Sequence, residues 1–130
     1  MNLNQVTIPS KDVGAAMLFY QKLGLKLIVD ALPRYVRFEC PNGEATFSIH
    51  EVNALAVGEG VTVYFEVDHL DAKVNALQRE GIVFDMEPKD QTWLWREAHL
   101  RDLDGNRLIL FHAGANRKNP PWRVDDKNLE

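Results

Sequence analysis

Apolar and polar residues alternate along most of this chain, and apolar residues at helical spacing interrupt the alternation twice. In the first segment Val6 and Ile8 alternate with polar neighbours, which predicts a strand with one packed face. The apolar residues that follow recur every three or four positions, which predicts a helix. We expect this helix to be capped by Ser10 or Asp12 and to end at Gly24, since glycine adopts the left-handed conformation of a helix end.

Three more strands are predicted in the first half, and the second half repeats the whole order of elements. In the first half the alternation predicts strands over residues 25–29, 35–40 and 46–52, with a hairpin turn at 41–43. In the second half it predicts strands over residues 61–67, 82–85, 93–101 and 108–111, with a turn at 102–106. The second helix is expected to begin at an Asp68 cap and to end at Gly81. Each half is therefore predicted to be strand–helix–strand–strand–strand.

The two halves also match residue by residue at a shift of 57 positions, from Gln5 to Thr62. Under this shift the following residues coincide: Val13 with Leu70, Ala15 with Ala72, Gln21 with Gln78, Lys22 with Arg79, Gly24 with Gly81, and Leu25 with Ile82. An internal repeat of this length indicates a duplicated supersecondary unit. Two half-sheets that face each other would form a groove, which is where a small molecule is expected to bind.

Composition narrows the classes of function. The 130 residues suit one domain over residues 1–113, with modules 1–56 and 57–113, followed by a tail over 114–130. A net charge of −4 gives no basic surface for nucleic acid, and no apolar run is long enough to span a membrane. The single cysteine, Cys40, cannot form an internal disulfide, and no signal peptide is visible, so we expect a cytoplasmic protein.

Several short motifs together resemble the vicinal oxygen chelate superfamily, which includes glyoxalase I, extradiol dioxygenases, and bleomycin and fosfomycin resistance proteins. The motifs are Asn4-Gln5-Val6, Asp12, Phe19-Tyr20, Leu23-Gly24-Leu25, Tyr64-Phe65-Glu66-Val67-Asp68, Arg96-Glu97-Ala98 and Arg101-Asp102-Leu103-Asp104-Gly105-Asn106. The resemblance covers residues 3–111 and implies an α+β fold. In that fold two βαβββ modules form a curved eight-stranded mixed sheet around a ligand groove. It also implies a homodimer.

The resemblance implies four metal-ligand positions, which fall here on Gln5, Ser48, Thr62 and Ile109. Isoleucine cannot bind a metal, and serine and threonine are poor ligands for divalent transition metals. We therefore expect no cofactor at the usual metal centre. A divalent metal held instead by His50, Glu66, Glu97 and His99 is a second possibility, because histidine and glutamate are suitable ligand types.

Strand alternation places a set of polar and aromatic side chains on the expected groove face. The predicted ligand-binding residues are Gln5, Arg37, His50, Tyr64, Glu66, Trp95 and Phe111. Glu97 and His99 are the predicted catalytic pair, since residues two apart on a strand share a face. The structural alternative pairs Glu97 with Arg37 and stacks His99 on an aromatic ring.

Three functions follow from this set. The first is a metal-free protein that binds a small molecule, aromatic or cationic, using the aromatic side chains and the acidic pair Glu66 and Glu97. The second is a metal-dependent lyase, isomerase or dioxygenase with Glu97 as general base. The third is a structural or partner-binding role. In the tail, Trp122 follows two prolines and is predicted to dock on the body or on a partner subunit.

Overall fold

Two runs of one strand, one helix and three strands make up the chain in the computed structural model, which describes residues 1–124. The first run is β1 (Gln5–Ser10), α1 (Val13–Leu23), β2 (Lys26–Ala31), β3 (Tyr35–Glu39) and β4 (Thr46–Glu51). The second run is β5 (Thr62–Glu66), α2 (Leu70–Arg79), β6 (Phe84–Asp90), β7 (Arg96–Arg101) and β8 (Arg107–His112). A short 3-10 helix, Gly114–Arg117, follows. The predicted α+β fold with paired βαβββ modules is confirmed.

The strands are hydrogen-bonded as two four-stranded sheets with the same order. The first sheet runs β1-β4-β3-β2 and the second runs β5-β8-β7-β6. In the first sheet β1 lies parallel to β4, while β3 lies antiparallel to both β4 and β2. The first strand of each run therefore pairs with the last strand of the same run, as expected for a duplicated unit.

The ends of α1 follow the sequence prediction. Asp12 is the N-cap residue, and its Oδ1 accepts a hydrogen bond from the Ala15 N–H over 3.0 Å. Gly24 adopts φ 109°, and its N–H donates to the carbonyl of Gln21 over 3.0 Å. This left-handed conformation favours glycine because a Cβ would strain it. The spacing of cap and glycine thus fixes the length of α1.

The start of α2 differs from the prediction. The helix begins at Leu70, so the N-cap position falls on His69, whose side chain makes no capping hydrogen bond. Asp68 was the predicted cap and lies one residue too early for that role. The buried residues Val74 and Leu77 are on the predicted apolar stripe. Packing of this stripe, rather than a side-chain cap, therefore decides where α2 lies.

Strand boundaries in the second run also differ from the prediction, most of all at β6 and β7. β6 extends to Asp90, beyond the predicted end at Asp85, and it lies at the sheet edge, where a proline such as Pro88 is tolerated. β7 begins at Arg96, although the strand was predicted from Trp93. Residues 91–95 form a turn instead, with Leu94 at φ 67° and its N–H bonded to the carbonyl of Gln91.

The chain divides into two compact units, one formed by residues 1–62 and 101–107, the other by residues 63–100 and the described residues from 108 on. In the first unit, Tyr20 packs its ring 4.9 Å from the ring of Phe47. In the second, β8 is buried on both faces, as Leu108, Leu110, Ile109 and Phe111 are each at most 5% exposed. The assignment of residues 1–113 to a single domain stays a prediction. None of the helices described is long and apolar enough to cross a membrane.

A buried carboxylate organises the turn that follows β7. Asp102 Oδ1 accepts hydrogen bonds from the backbone N–H groups of Asp104 and Asn106, and Oδ2 accepts from Asn106 Nδ2. The hydroxyl of Tyr20, on α1, donates to the same Oδ2 over 2.6 Å. Burial, reinforced by the charge of Asp102, raises the pKa of Tyr20 far above its ordinary range. The hydroxyl therefore stays protonated and holds this turn in the first unit.

Candidate functional site

The predicted site residues of the first sheet lie on neighbouring strands. Strand pairing sets Thr7 beside Ser48 and Ser48 beside Arg37, and the Thr7 and Ser48 hydroxyls are 2.6 Å apart. Arg37 Nε donates to the Tyr35 hydroxyl over 2.9 Å, and its guanidinium carbon lies 5.5 Å from the centre of that ring. His50, the cross-strand neighbour of Tyr35, is exposed.

The Tyr35 hydroxyl is polarised by its neighbours. Burial alone would raise its pKa, but hydrogen bonds with Ser48 and Arg37 and the positive charge of Arg37 outweigh that effect and lower the pKa. Gln5, on β1, is exposed, and its Oε1 accepts from the Thr46 hydroxyl over 2.8 Å. The first sheet thus carries one cluster of hydroxyl groups beside a cation, with Gln5 bonded separately to Thr46.

The donor set at the four metal positions of the resembled family does not fit a metal centre. Ile109 has no donor atom and is 5% exposed, packed with Phe111, Ala113 and Trp95. Ser48 is fully buried, with its hydroxyl bonded to that of Thr7. Hydroxyl groups held in this way are poor ligands for divalent transition metals.

The alternative metal site, from His50, Glu66, Glu97 and His99, draws on both compact units and stays a prediction. Among residues 1–124 no group of three or more His, Cys, Asp or Glu side chains is arranged to hold a metal ion. Within the second sheet, Glu66 binds backbone N–H groups after β8, whereas Glu97 and His99 bind each other. That the protein functions without a metal stays a prediction, which the donor chemistry supports.

Three aromatic side chains meet on one face of the second sheet. The rings of Trp95 and Phe111 stack, with centres 4.6 Å apart and planes 18° apart. The ring of Tyr64 stands nearly perpendicular to both, at 5.9 Å from Trp95 and 5.6 Å from Phe111. Phe111 is buried, Trp95 is partly buried, and Tyr64 is 48% exposed. We call Tyr64, Trp95 and Phe111 the aromatic cluster. The stacked rings of Trp95 and Phe111 form a flat apolar surface, and the exposed ring of Tyr64 lies beside it.

Glu66 has a structural role that the sequence analysis missed. Its Oε2 accepts hydrogen bonds from the backbone N–H groups of Ala113 over 2.7 Å and of Gly114 over 3.0 Å. Arg117 Nε lies 3.6 Å from Oε1. Because Glu66 is thus occupied in anchoring the 3-10 helix, its negative charge is already compensated by protein groups.

The tail is held near its start, and docking of Trp122 on the body or on a partner subunit stays a prediction. Trp95 Nε1 donates to the carbonyl of Asn116 over 3.3 Å, which adds a second anchor to that of Glu66. Trp122 is 57% exposed in this chain. The part of the predicted tail over residues 125–130 lies outside the described residues.

Glu97 and His99 do come together, and their predicted catalytic role stays a prediction. Glu97 is 2% exposed; its Oε1 lies 2.8 Å from His99 Nε2, and its Oε2 accepts from Trp93 Nε1 over 2.8 Å. The His99 side chain is 30% exposed. Both carboxylate oxygens of Glu97 therefore have protein partners, and the imidazole is the part of the pair that reaches solvent.

The partners of Glu97 also differ from those of the structural alternative. Glu97 binds His99 and Trp93, while the Nε of Arg37 binds the Tyr35 hydroxyl. Trp93 was missed as a partner because it lies in the turn before β7, where strand alternation gives no guide to its direction. Only the four-residue spacing from Glu97 hints at the contact.

One further depression lies in the second unit, on the side of α2. It has a volume of about 220 Å³ and includes Asp71, Gln78, Glu87 and Arg96 in its lining. Arg96 binds Asp71 and Asp90, and its hydrogen bond lowers the pKa of Asp71. The depression contains none of the predicted site residues, so we treat it as a charged surface feature.

The comparisons with known proteins agree with this fold. The family model described as Glyoxalase/Bleomycin resistance protein/Dioxygenase superfamily matches residues 2–110. A glyoxalase/bleomycin resistance protein/dioxygenase from Nocardioides is 23% identical with a TM-score of 0.75, over 96% of this chain and 90% of that one. Lactoylglutathione lyase from Agrobacterium tumefaciens is 19% identical with a TM-score of 0.71, over 85% of this chain and 92% of that one.

A bleomycin-binding protein, solved in complex with bleomycin, is also similar. It is 19% identical with a TM-score of 0.70, over 86% of this chain and 98% of that one. No curated protein matches the chain. At these identities the likeness to solved structures shows a common fold, and the chemistry has to be argued from the residues present.

Proposed function

The chain belongs to the Glyoxalase/Bleomycin resistance protein/Dioxygenase superfamily, and on that premise we propose that it binds a small aromatic molecule without the family's usual metal centre. The observation that carries the proposal is the aromatic cluster, in which Trp95 stacks on Phe111 and Tyr64 stands edge-on beside them. A flat ligand laid against this cluster would extend the existing stack. Stacked and edge-to-face pairs stabilise by about 0.5–1.5 kcal/mol beyond the area they bury.

The electrostatics of this face favour an aromatic ligand over a cationic one. The sequence alone predicts that Glu66 and Glu97 meet a cationic ligand, but each carboxylate is already bonded to protein groups. Recruiting either one would break hydrogen bonds to a charged group, which are worth about 1.5–3 kcal/mol each. Binding through the rings requires no such rearrangement.

The similar bleomycin-binding protein supports sequestration as the biological use of such binding. The alternative, a metal-dependent lyase, isomerase or dioxygenase, requires metal ligands at positions that here hold Gln5, Ser48, Thr62 and Ile109. Their chemistry does not suit a divalent transition metal. As part of the same proposal we expect a cytoplasmic homodimer, and light scattering on the purified chain tests the dimer.

A binding titration with a neutral aromatic probe tests the proposal. We would titrate para-nitroanisole into chelator-treated protein and follow the quenching of tryptophan fluorescence. We expect saturable binding that Trp95→Ala weakens at least about tenfold, equivalent to about 1.4 kcal/mol. Trp122→Ala is the matched control, since Trp122 is exposed and remote in sequence from the cluster. It should leave the affinity unchanged.

Two results would contradict the proposal. One is the absence of saturable binding to the chelator-treated protein. The other is binding that appears only after a divalent metal is restored, which would favour the enzymatic alternative. Calorimetric titration provides a readout that does not depend on the tryptophans being replaced.

A further inference from the structure

The arrangement of Glu97 fixes the proton position on His99. Trp93 Nε1 can only donate, and it does so to Glu97 Oε2 over 2.8 Å. The other oxygen, Oε1, faces His99 Nε2 at 2.8 Å. An ionised carboxylate only accepts hydrogen bonds, so Nε2 carries the proton in neutral His99, and Nδ1 is left with a lone pair.

This lone pair lies on the same face as the aromatic cluster. Glu97 and His99 lie two residues apart on β7 and so share a face. The Asp102 N–H bonds to the carbonyl of Asn106, and this antiparallel register sets Phe111 of β8 opposite Glu97. Trp95 in turn stacks on Phe111 of β8. The His99 side chain is 30% exposed, so its imidazole is accessible to a ligand on this face.

We propose that the ligand carries an acidic hydroxyl group on its ring, of the phenol class, and that His99 Nδ1 accepts the proton of that hydroxyl. This inference rests on the proposed function, because it uses the same binding face. Glu97 is a positioning residue: it holds the tautomer and stays bonded to the imidazole throughout. His99 is the residue that touches the ligand.

The proton transfer is balanced without any further reactant. The ligand O–H bond breaks, its electron pair stays on oxygen as a phenolate, and the proton forms a bond with Nδ1. The resulting imidazolium keeps its Nε2–H bonded to the buried carboxylate of Glu97, an opposite charge that stabilises it. On release the proton returns to the phenolate oxygen.

The groups around His99 determine which charge acts on the imidazole during this proton transfer. On β5, Tyr64 belongs to the aromatic cluster and Glu66 is bonded to the backbone N–H groups of residues 113 and 114. On β6, the cross-strand neighbour of His99 is Met86, and that of Glu97 is the exposed Lys89. On β8, Arg107 shares the face of Ile109 and Phe111, and its Nη1 lies 3.8 Å from Glu59 Oε2. On β7, Arg101 shares the face of Glu97 and His99, and its Nη1 donates to the carbonyl of Gly105. Glu97 is therefore the charge that acts most directly on His99.

A pair of matched probes tests the inference. Para-nitrophenol carries the acidic hydroxyl, and para-nitroanisole is its methyl ether, so the two differ only in the proton to be donated. We expect wild type to bind the phenol at least about tenfold more tightly than the ether. The bound phenol should also show the absorbance of its phenolate at a pH where free para-nitrophenol is mostly protonated.

Three variants separate the roles. His99→Gln should lower the affinity for the phenol to that for the ether and abolish the phenolate absorbance. Glu97→Gln should reduce the preference for the phenol at least about threefold, because an amide can donate to Nε2 and so favours the other tautomer. His69→Gln, at an exposed histidine without a side-chain capping bond, should change nothing.

The outcomes are distinct. Equal binding of phenol and ether by wild type would overturn this inference and leave the proposed function standing, whereas failure of both probes to bind would overturn both. Nitrogen–proton correlation spectra of wild type offer a test that requires no variant. They should show His99 protonated at Nε2 and unprotonated at Nδ1, and the opposite tautomer would contradict the inference.

Discussion

Replacing Tyr20 by phenylalanine removes one hydroxyl group from a buried hydrogen bond and leaves the ring packing in place. Tyr20 is 0% exposed, and its hydroxyl donates to Asp102 Oδ2 over 2.6 Å. A hydrogen bond to a charged group stabilises a protein by about 1.5–3 kcal/mol. Because Asn106 Nδ2 still donates to the same oxygen in the variant, we expect Tyr20→Phe to cost about 1.5–2 kcal/mol near neutral pH.

The same hydroxyl makes this loss depend on pH. Burial, with the charge of Asp102 added, raises the pKa of Tyr20 in the folded state. In the unfolded chain the group titrates near its ordinary pKa of about 10, so above that pH the unfolded state binds fewer protons than the folded state. The free energy of unfolding of wild type then falls by about 1.4 kcal/mol per pH unit from this group. The variant lacks this dependence, and the two stabilities should meet roughly one to two pH units above 10.

Urea denaturation followed by circular dichroism, at neutral pH and at a series of alkaline pH values, measures both effects. Tyr64→Phe is the control, because Tyr64 is 48% exposed. It should keep the stability of wild type at neutral pH and the same alkaline decline. A stability difference between wild type and Tyr20→Phe that does not change with pH would refute the reasoning, as would a variant as stable as wild type at neutral pH.

Three further predictions concern the cap, the tail and the hydroxyl cluster. Asp12→Ala removes the cap of α1, so urea denaturation should show a free energy of unfolding lower by about 1 kcal/mol. Glu66→Gln weakens the charged acceptor of the 3-10 helix, so limited trypsin digestion should cut the described tail faster. Burial raises the pKa of Tyr35, but hydrogen bonds with Ser48 and Arg37 lower it further than burial raises it. Arg37→Gln should therefore raise the pKa of this one tyrosine, which alkaline difference absorbance measures.

Each of these three has its own control. Asp68 lies outside the cap position of α2, so Asp68→Ala should lower the free energy of unfolding much less than Asp12→Ala does. Lys118→Gln leaves the Glu66 anchor intact and removes one trypsin site, so slower digestion of that variant is expected. Tyr35→Phe in the Arg37→Gln background should remove the shifted titration; a shift that persists there would assign it to another tyrosine.

The elements of the fold were predictable because packing imposes a period on the sequence. Phe47 and Ile49 are buried on alternate positions of β4, and Val74 and Leu77 are buried on one stripe of α2, as their spacing predicts. The exception is β6, whose far end carries Pro88 and charged residues. An edge strand packs little apolar surface, so its sequence has no clear period.

The candidate site was predictable only as a set of residues that share a face. Alternation along β7 correctly paired Glu97 with His99, yet it could not show which of the two reaches solvent. That depends on Trp93, which reaches Glu97 from a turn where Leu94 adopts a left-handed conformation. Likewise Glu66 is occupied by backbone N–H groups, and these carry no sequence signature.

The central claim is that the aromatic cluster of the second sheet binds a planar molecule without a metal. The most direct measurement is a proton–nitrogen spectrum of the three tryptophan indole groups in chelator-treated protein during titration with para-nitroanisole. We predict that the signal of Trp95 shifts to saturation while that of the exposed Trp122 stays in place. A shift confined to Trp122, or a Trp95 signal that moves only after a divalent metal is added, would contradict the account.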